Sequence, residues 1–538
     1  MADIDSPAGP TRTSVTKSDQ FAWLGAAYRA GLIGFVRPTG LATAVRAPRA
    51  YGPIGAATTV SAVRFGDRPA VLDDRGSVTF RQLDAAVNAI ANHWISAGLD
   101  HRSRVGILCR NHRGFFLALF AAAKIGARTV LLNTELAASQ LRDITAAQSV
   151  TALVYDAEFA AAADGLALPD GTWTAWSDDG DSALDLLTRG DSSPPPPAAG
   201  HGGMTILSSG TTGRPKGVDR AAHTPNGLAL PGGILGRIPL RSGERMVVGP
   251  PLFHGYGLVF AMLGISLGCT IVLRRRFDVS RTLADLSEQR ATSAFLVPTM
   301  LSRILDVGDR TGFALPDLRI LTVGGGPLSH DLAARARDVF GDVLYNFYGS
   351  TEASCIAIAD PEDLRAAPGC VGRAPRGVEI SIVDDEGRQV APGVTGNIVM
   401  AGPAAAEPLR LGDIGHFDTG GRLFVDGRAD DMIVSGGENV YPGEIEELLA
   451  KHPAIRESAV VGVADSDFGQ RLRAFIVCAE PEGITADEVR NYVAGNLARY
   501  KVPRDVVIVD ELPRTATGKV LKRLLMDQDP SSAQDRVE

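Results

Sequence analysis

The sequence predicts an α/β protein: a large N-terminal domain of several subdomains, with parallel sheets covered by helices and a small β-rich part, followed by a small α+β C-terminal domain. Three observations predict it. From about residue 68 onward, short apolar runs of strand length alternate with helical periodicity, the pattern of parallel sheets wrapped by helices. Smaller β-rich pieces follow after about residue 360. The length, 538 residues, allows two to four domains.

The elements follow in order. Residues 1 to 20 are polar and read as disordered. Phe21 to Val36 is amphipathic and interrupted by Arg29; it reads as a packing helix, with peripheral membrane contact as the alternative. Ala70-Val71-Leu72 is a strand. Thr79 to Ala97 has helical spacing and opens on a Thr-x-x-Gln capping signal. Arg104 to Cys109 is a buried strand, Arg113 to Ile125 a helix, and Thr129 to Leu132 the next strand. Asp191 to Gly203, rich in Ser, Pro, Ala and Gly, is a linker within a domain. A second α/β region runs from about 205 to 360. Ile380 to Gly387 carries a hairpin signal. Residues 431 to 538 form the α+β unit, with a helix from Pro442 to Lys451 and a strand from Ala459 to Val463. No tandem repeat is evident.

Gly255 to Leu273 holds no charged residue and is long enough to cross a bilayer. Its glycines and the arginine run that follows favour a buried helix succeeded by a buried strand. The net charge of −8 argues against a nucleic-acid surface. Five cysteines without paired spacing suggest reduced thiols and, with a polar N-terminus, a cytoplasmic setting.

One segment carries most of the chemistry. Ser208, Ser209, Gly210, Thr211, Thr212, Gly213, Arg214, Pro215, Lys216 and Gly217 pack four hydroxyls, three glycines and a lysine into ten positions. Glycines let the backbone approach an anion and aim N–H groups at it. Hydroxyls add donors, and Lys216 adds positive charge. The chain holds seven lysines to 47 arginines, with no lysine between Lys216 and Lys451, so a lysine here is conspicuous. A Walker A loop needs Gly-Lys followed by Ser or Thr at the start of a helix. Lys216 stands between Pro215 and Gly217, which does not suit a first helical turn. The segment reads as a polyphosphate cradle of another kind, at the end of a strand from Gly203 to Leu207.

That string resembles the phosphate loop of the adenylate-forming superfamily, which includes acyl-CoA synthetases. Further motifs follow in register. Pro251 to Gly257 resembles the aromatic gate, Tyr348-Gly349-Ser350-Thr351-Glu352 the Tyr-Gly-x-Thr-Glu motif, and Leu411-Gly412-Asp413 stands where the family has Thr-Gly-Asp. Gly427 to Asp431 resembles the hinge, Gly436 to Pro442 the loop after it, and Pro513 to Lys519 the C-terminal lysine motif. The matches span roughly residues 75 to 525.

The resemblance implies two half-reactions. A carboxylate attacks the α-phosphate of ATP to give an acyl-adenylate and pyrophosphate; coenzyme A then attacks the activated carbonyl and AMP leaves. It implies roles as well. Lys519 bridges the carboxylate and α-phosphate. Thr351 bonds the α-phosphate, Glu352 is the Mg²⁺ ligand and Tyr348 lies against adenine. Gly324, Gly325 and Gly326 form the adenine-pocket turn. Asp413 accepts from the ribose hydroxyls, and Arg428 binds ribose or phosphate. His254 gates the acyl pocket, which the apolar Leu258 to Ile265 could line. Asp430 is the pivot of a mobile C-terminal lid, and Gly436 and Gly437 admit the pantetheine arm. Lys522 and Arg523 are expected to be solvated. The implied divisions are an extension (1–60), an AMP-binding domain (61–427), a hinge (428–431) and a lid (432–538).

Val297 to Leu301 and Gly436 to Glu446 resemble acyl-CoA synthetases more than amino-acid adenylation domains. The expected substrates are a fatty acid or related carboxylic acid, ATP and coenzyme A. The alternatives are a fatty acyl-AMP ligase donating to a carrier protein and an inactive nucleotide-binding homologue.

Overall fold

The computed structural model describes residues 15–34, 36, 38–208, 216–220, 227–307, 315–403, 405–435, 438–465, 469–480, 483–515 and 518–526. The chain divides into two compact units, Val15–Gly324 with Gly349–Cys355, and Gly325–Tyr348 with Ile356–Glu538.

The first unit contains two arrays of parallel strands. In one, the order is Ile320–Gly324, Ser293–Leu296, Arg245–Val248, Thr270–Val272, Pro69–Asp73, then Gly76–Thr79. In the other it is Gly171–Trp176, Ala152–Asp156, Arg104–Leu108, Arg128–Leu131, Met204–Ser208, then Lys216–Arg220. Every neighbouring pair is parallel except the last in each row, which is an antiparallel hairpin. Parallel strands buried on both faces must be apolar throughout, and Val105, Ile107, Val130, Leu131, Leu153 and Val154 are buried accordingly.

The helices follow their sequence signals. Thr79 and Gln82 form the reciprocal capping box that starts the helix Phe80–Ser96. The helix Arg113–Lys124 is buried almost all round, with Phe116 stacked on Phe120 at 5.8 Å. Burying one such ring stabilises the fold by about 1.5–3 kcal/mol. The uncharged stretch after His254 resolves into the helix Gly255–Leu267 and the strand Thr270–Val272. The helix is capped by Gly268 in the left-handed conformation at φ 70°. No described helix is long and apolar enough to cross a membrane.

The N-terminal reading needs correction. Helix begins at Lys17, inside the stretch expected to be disordered, because Thr16 and Asp19 form a capping box. Its Trp23, Ala26, Ala27 and Ala30 are buried. Trp23 lies against Gly232, where an added Cβ would meet Trp23 Cβ at 2.5 Å, so only glycine permits that approach. A second helical stretch, Pro38–Phe65, is broken at Gly52, whose φ is 68°. It is bolted down by Lys124, which is fully buried and donates to Thr59 at 2.8 Å, Asp84 at 2.6 Å and Asn88 at 2.6 Å. Burial pushes the Lys124 ammonium down, and Asp84 opposes that shift.

In the second unit, Leu344–Tyr348 pairs antiparallel with Ala357–Ala359. A four-stranded antiparallel sheet follows in the order Glu379–Val383, Gly396–Gly402, Ala405–Phe417, Leu423–Arg428. The last sheet runs Glu438–Val440, Ile433–Ser435, Gly469–Cys478, Ile455–Asp465, with Asp505–Ile508 added parallel to Gly469–Cys478. One apolar cluster joins this sheet to the helices Pro442–Leu449 and Ala486–Asn496 through Ile445, Leu449, Leu472, Ile476, Val489 and Val493. Another joins Phe475, Val477 and Val507 to Leu525 of the helix Lys522–Met526.

Candidate active site

In the first unit the two strands that flank the expected phosphate loop form a hairpin. Met204–Ser208 and Lys216–Arg220 pair antiparallel with Ser208 opposite Lys216. Lys216 therefore opens a strand, which removes the helix a Walker A loop requires. Gly217 sits against Thr205 and Gln148, and a Cβ there would meet Thr205 Cγ2 at 2.8 Å. Ser209, Gly210, Thr211, Thr212 and Gly213 lie outside the described residues.

The same hairpin holds a second motif. Arg220, at its far end, donates from one guanidinium nitrogen to the carbonyl of Thr351 and, at 3.0 Å, to that of Glu352. Burial lowers the Arg220 pKa and the Glu352 charge partly restores it. The turn is closed by Ser350, whose hydroxyl accepts from the Ala353 N–H at 3.0 Å and whose carbonyl accepts from Ser354 at 2.8 Å. Ser354 takes φ 66°, a strained value for a residue with a Cβ. The Glu352 side chain stays exposed while its peptide is fixed. An exposed carboxylate on a fixed backbone suits Mg²⁺, which keeps several waters and takes one or two carboxylates.

His254 caps the helix Gly255–Leu267, its Nδ1 accepting from the Tyr256 N–H at 3.4 Å. Burial pushes its pKa down to about 4, so the imidazole is neutral at physiological pH. The loop before it is gripped by Asn111. Its Oδ1 accepts from the Leu252 N–H at 2.8 Å and its Nδ2 donates to the Pro250 carbonyl at 2.9 Å. Gly257 lets the helix close on this loop, since a Cβ would meet the Pro251 and Pro250 carbonyls at 2.6 and 2.7 Å. The Tyr256 hydroxyl donates to the Thr322 carbonyl at 2.8 Å. Leu258, Phe260, Ala261, Leu263 and Ile265 are buried, with Phe260 stacked on Phe295 at 4.2 Å. Those side chains are core.

We expect Asn111→Ala to leave two buried backbone groups without partners, at about 1–3 kcal/mol each. The variant should melt several degrees lower and raise KM for the acid more than KM for ATP. Steady-state kinetics with each substrate varied would check this.

The second unit carries the other motifs. Asp413 and Arg428 face each other across the strands Ala405–Phe417 and Leu423–Arg428, and Arg428 donates to Asp413 at 3.3 Å. The Tyr348 hydroxyl donates to the other Asp413 oxygen. Each oxygen keeps acceptor capacity for a diol. Burial raises the Asp413 pKa, while the Tyr348 hydrogen bond, Arg428 and Lys519 pull it back down. Burial and the Asp413 charge hold the Tyr348 phenol well above its usual range. Leu411, where the resemblance has threonine, packs instead into an apolar cluster with Leu423, Ile398 and Tyr348.

Lys519 is exposed at the end of a tight turn. Its N–H donates to Thr515 Oγ1 at 3.1 Å, its carbonyl accepts from the Thr515 N–H at 2.8 Å, and Gly518 has φ 78°. Arg514 braces the turn, donating to the Gly518 carbonyl at 2.6 Å and to Glu457 at 2.8 Å. Lys522 is not solvated as expected: it pairs with Glu446 at 2.8 Å.

Gly324 ends the strand Ile320–Gly324, and Gly325 follows at φ 82°, a value only glycine adopts freely. The 3₁₀ turn Ala429–Asp431 contains Asp430, whose side chain is not described. Gly436 and Gly437 lie outside the described residues.

Among the described residues, one cluster has metal-ligand composition: Cys109, His112 and Asp156, all buried. Protein partners occupy it. His112 Nε2 meets Asp156 at 2.7 Å, its Nδ1 accepts from Gly114 at 3.0 Å, and the second Asp156 oxygen accepts from the Arg110 N–H at 3.0 Å.

A turn in the first unit that holds the exposed carboxylate of Glu352, and in the second unit a carboxylate, Asp413, met by a phenol and a guanidinium, are groups that suit a class of enzymes that activate acids on a nucleotide. Comparison with known proteins gives the class its name. Residues 59–408 match the family described as AMP-binding enzyme, and residues 444–519 match the AMP-binding enzyme C-terminal domain. The indoleacetate–CoA ligase of Aromatoleum aromaticum is 36% identical over 86% of this chain and 94% of its own length. The long-chain-fatty-acid–CoA ligase FadD13 of Mycobacterium tuberculosis is 29% identical over 84% of this chain and 93% of its own. Other relatives are named feruloyl-CoA synthase, 2-succinylbenzoate–CoA ligase and fatty acid–[acyl-carrier-protein] ligase ScoC. Among solved structures, the anthranilate CoA ligase AuaEII in complex with anthranoyl-AMP aligns with a TM-score of 0.80 at 26% identity, over 90% of this chain and 98% of its own. The chain belongs to the AMP-binding enzyme family and is an AMP-forming acid–CoA ligase that works through an acyl-adenylate.

Two residues, Asn111 and Arg220, are absent from the sequence-based expectations. Each acts on backbone groups more than 130 positions away, and no local motif announces such a bond.

Proposed function

We propose that the acid is apolar, with an aryl or arylalkanoic acid ahead of the fatty acid that the motifs first suggest. The relatives named for indoleacetate and ferulate, at 36% and 33% identity, are nearer than the one named for long-chain fatty acids, at 29%. The filled core along Leu258 to Ile265 weighs the same way, because a long chain would have to displace well-packed side chains. A panel of acids from acetate through long-chain and aromatic acids, scored by AMP formation, tests this. Preference for palmitate over arylacetates would reverse the order. Coenzyme A as acceptor, rather than a carrier protein, is tested by offering both.

The observation that carries the mechanism is the charge group around Asp413, on which both Arg428 and Lys519 act within one unit. In this reading Asp413 holds the ribose diol while Lys519 reaches the α-phosphate and the carboxylate oxygen. Negative charge built during attack on phosphorus would be offset by the Lys519 ammonium and by N–H donors of the phosphate loop. Ser208, the loop beyond it and Lys216 hold the pyrophosphate portion. Thr351 donates to the α-phosphate. Glu352 would hold Mg²⁺, which supplies further positive charge to the phosphates when bound. Gly324 to Gly326 receive adenine, and Tyr348 orients Asp413 beside it. Neutral His254 guards the acyl entrance without a charge that would repel or trap the substrate carboxylate.

In this reading the hinge is residues 428–431, between the AMP-binding domain and the lid, and Gly436 and Gly437 admit the pantetheine thiol. Proline fixes φ and blocks rotation. Asp430→Pro should therefore slow thioester formation from supplied acyl-adenylate by at least about tenfold more than it slows pyrophosphate release. Equal damage to both half-reactions, measured separately, would remove the hinge assignment.

A further inference from the structure

The helix Lys17–Ala30 has two apolar faces, and packing uses only one. Trp23, Ala26, Ala27 and Ala30 point inward. At about 100° per residue, Lys17, Phe21, Leu24 and Tyr28 fall on the opposite side within one narrow stripe. Phe21 and Tyr28 are each 72% exposed and Leu24 43%. The inner face is the closely packed one: Trp23 is buried and lies so near Gly232 that an added Cβ there would meet its Cβ at 2.5 Å. The exposed stripe continues along the chain through Ile33 at 40% and then Leu41 and Val45, one turn apart on the next helix, at 54% and 51%.

The charge of this segment is opposite to that of the chain. Between residues 15 and 65 stand Lys17, Arg29, Arg37, Arg46, Arg49 and Arg64 against a single acid, Asp19, in a protein of net charge −8. Asp19 is engaged by Thr16 at the helix N-terminus. Lys17, Arg29, Arg46 and Arg49 are exposed. Most of the segment precedes the family match, which begins at residue 59. Exposed aromatic and aliphatic side chains among basic residues fit one environment in particular: an interface whose interior is apolar and whose headgroups are negative.

We propose that the N-terminal helices form a docking face for an anionic lipid surface, with Phe21, Leu24, Tyr28, Leu41 and Val45 entering the headgroup layer and Lys17, Arg29, Arg46 and Arg49 pairing with lipid phosphates. The inference is independent of which acid the enzyme activates.

Cosedimentation of the full chain with vesicles tests it. Binding is expected to vesicles containing phosphatidylglycerol, to weaken at least about tenfold in pure phosphatidylcholine, and to fall with added salt. The triple variant Phe21→Ser, Leu24→Ser, Tyr28→Ser should lose vesicle binding at least tenfold while its turnover of a water-soluble acid is unchanged. Arg46→Ala with Arg49→Ala should weaken binding to anionic vesicles and leave binding to neutral ones unaltered. No binding by the unaltered chain, equal binding to neutral and anionic vesicles, or undiminished binding by the triple variant would each overturn the proposal. So would light scattering that shows the apolar stripe consumed in a dimer that the triple variant abolishes.

Discussion

Replacing Lys519 with alanine is expected to reduce pyrophosphate release on mixing ATP and acid by about 10²–10³-fold, the loss typical of removing one group that stabilises transition-state charge. Thioester formation from supplied acyl-adenylate should stay near the unaltered rate. The side chain is exposed and its turn is held by Thr515, Arg514 and backbone bonds, so the fold should survive. Arginine at 519 keeps the charge, but a planar fork does not reach two oxygens as a point charge does, and only partial recovery is expected. Two assays decide it: single-turnover adenylation, and thioester synthesis from synthetic acyl-adenylate. Equal loss in both would show that Lys519 supports the whole site and not the first half-reaction.

The second large effect is expected from Arg220. It touches no substrate in the proposed mechanism; it fixes the peptides of Thr351 and Glu352. Without it two carbonyls lose a charged donor and the motif can drift, and a displacement of about 1 Å at reacting groups can cost about 10²-fold in rate. Arg220→Ala should lower kcat for adenylation on that scale and raise the Mg²⁺ concentration needed for half-maximal rate. A lysine offers one ammonium in place of the guanidinium, so Arg220→Lys should recover only part. If Arg220→Ala altered melting temperature alone, with kcat and the Mg²⁺ requirement unchanged, Arg220 would be a structural tie with no bearing on the site.

The legibility of this chain divides along a physical line. Features whose cause is local were readable. The Thr79–Gln82 capping box, the buried strands around Val105 and Val130, and the uncharged run that becomes a helix and a strand all follow from spacing and composition. The motifs around Ser208, Tyr348, Asp413 and Lys519 were readable as strings. Contacts that join distant segments through backbone groups were not. Asn111 holding Pro250 and Leu252, and Arg220 holding Thr351 and Glu352, leave no periodic trace, since a carbonyl is offered by every residue. The helix after Phe21 was readable, but its first turn at Lys17 was missed, because the polar residues before Phe21 look like a tail unless Thr16 and Asp19 are recognised as a capping box.

Lys124 has a consequence for where the protein can begin. Its ammonium lies in a dry pocket whose Thr59 partner comes from the helical stretch Pro38–Phe65, and Asp84 also takes hydrogen bonds from Thr58 and Thr59. A chain shortened to start after Phe65 would open that pocket to water and strand a cation beside a half-satisfied carboxylate. The stretch Pro38–Phe65 is thus a keystone of the first unit, and trimming it away would undermine the helices behind it.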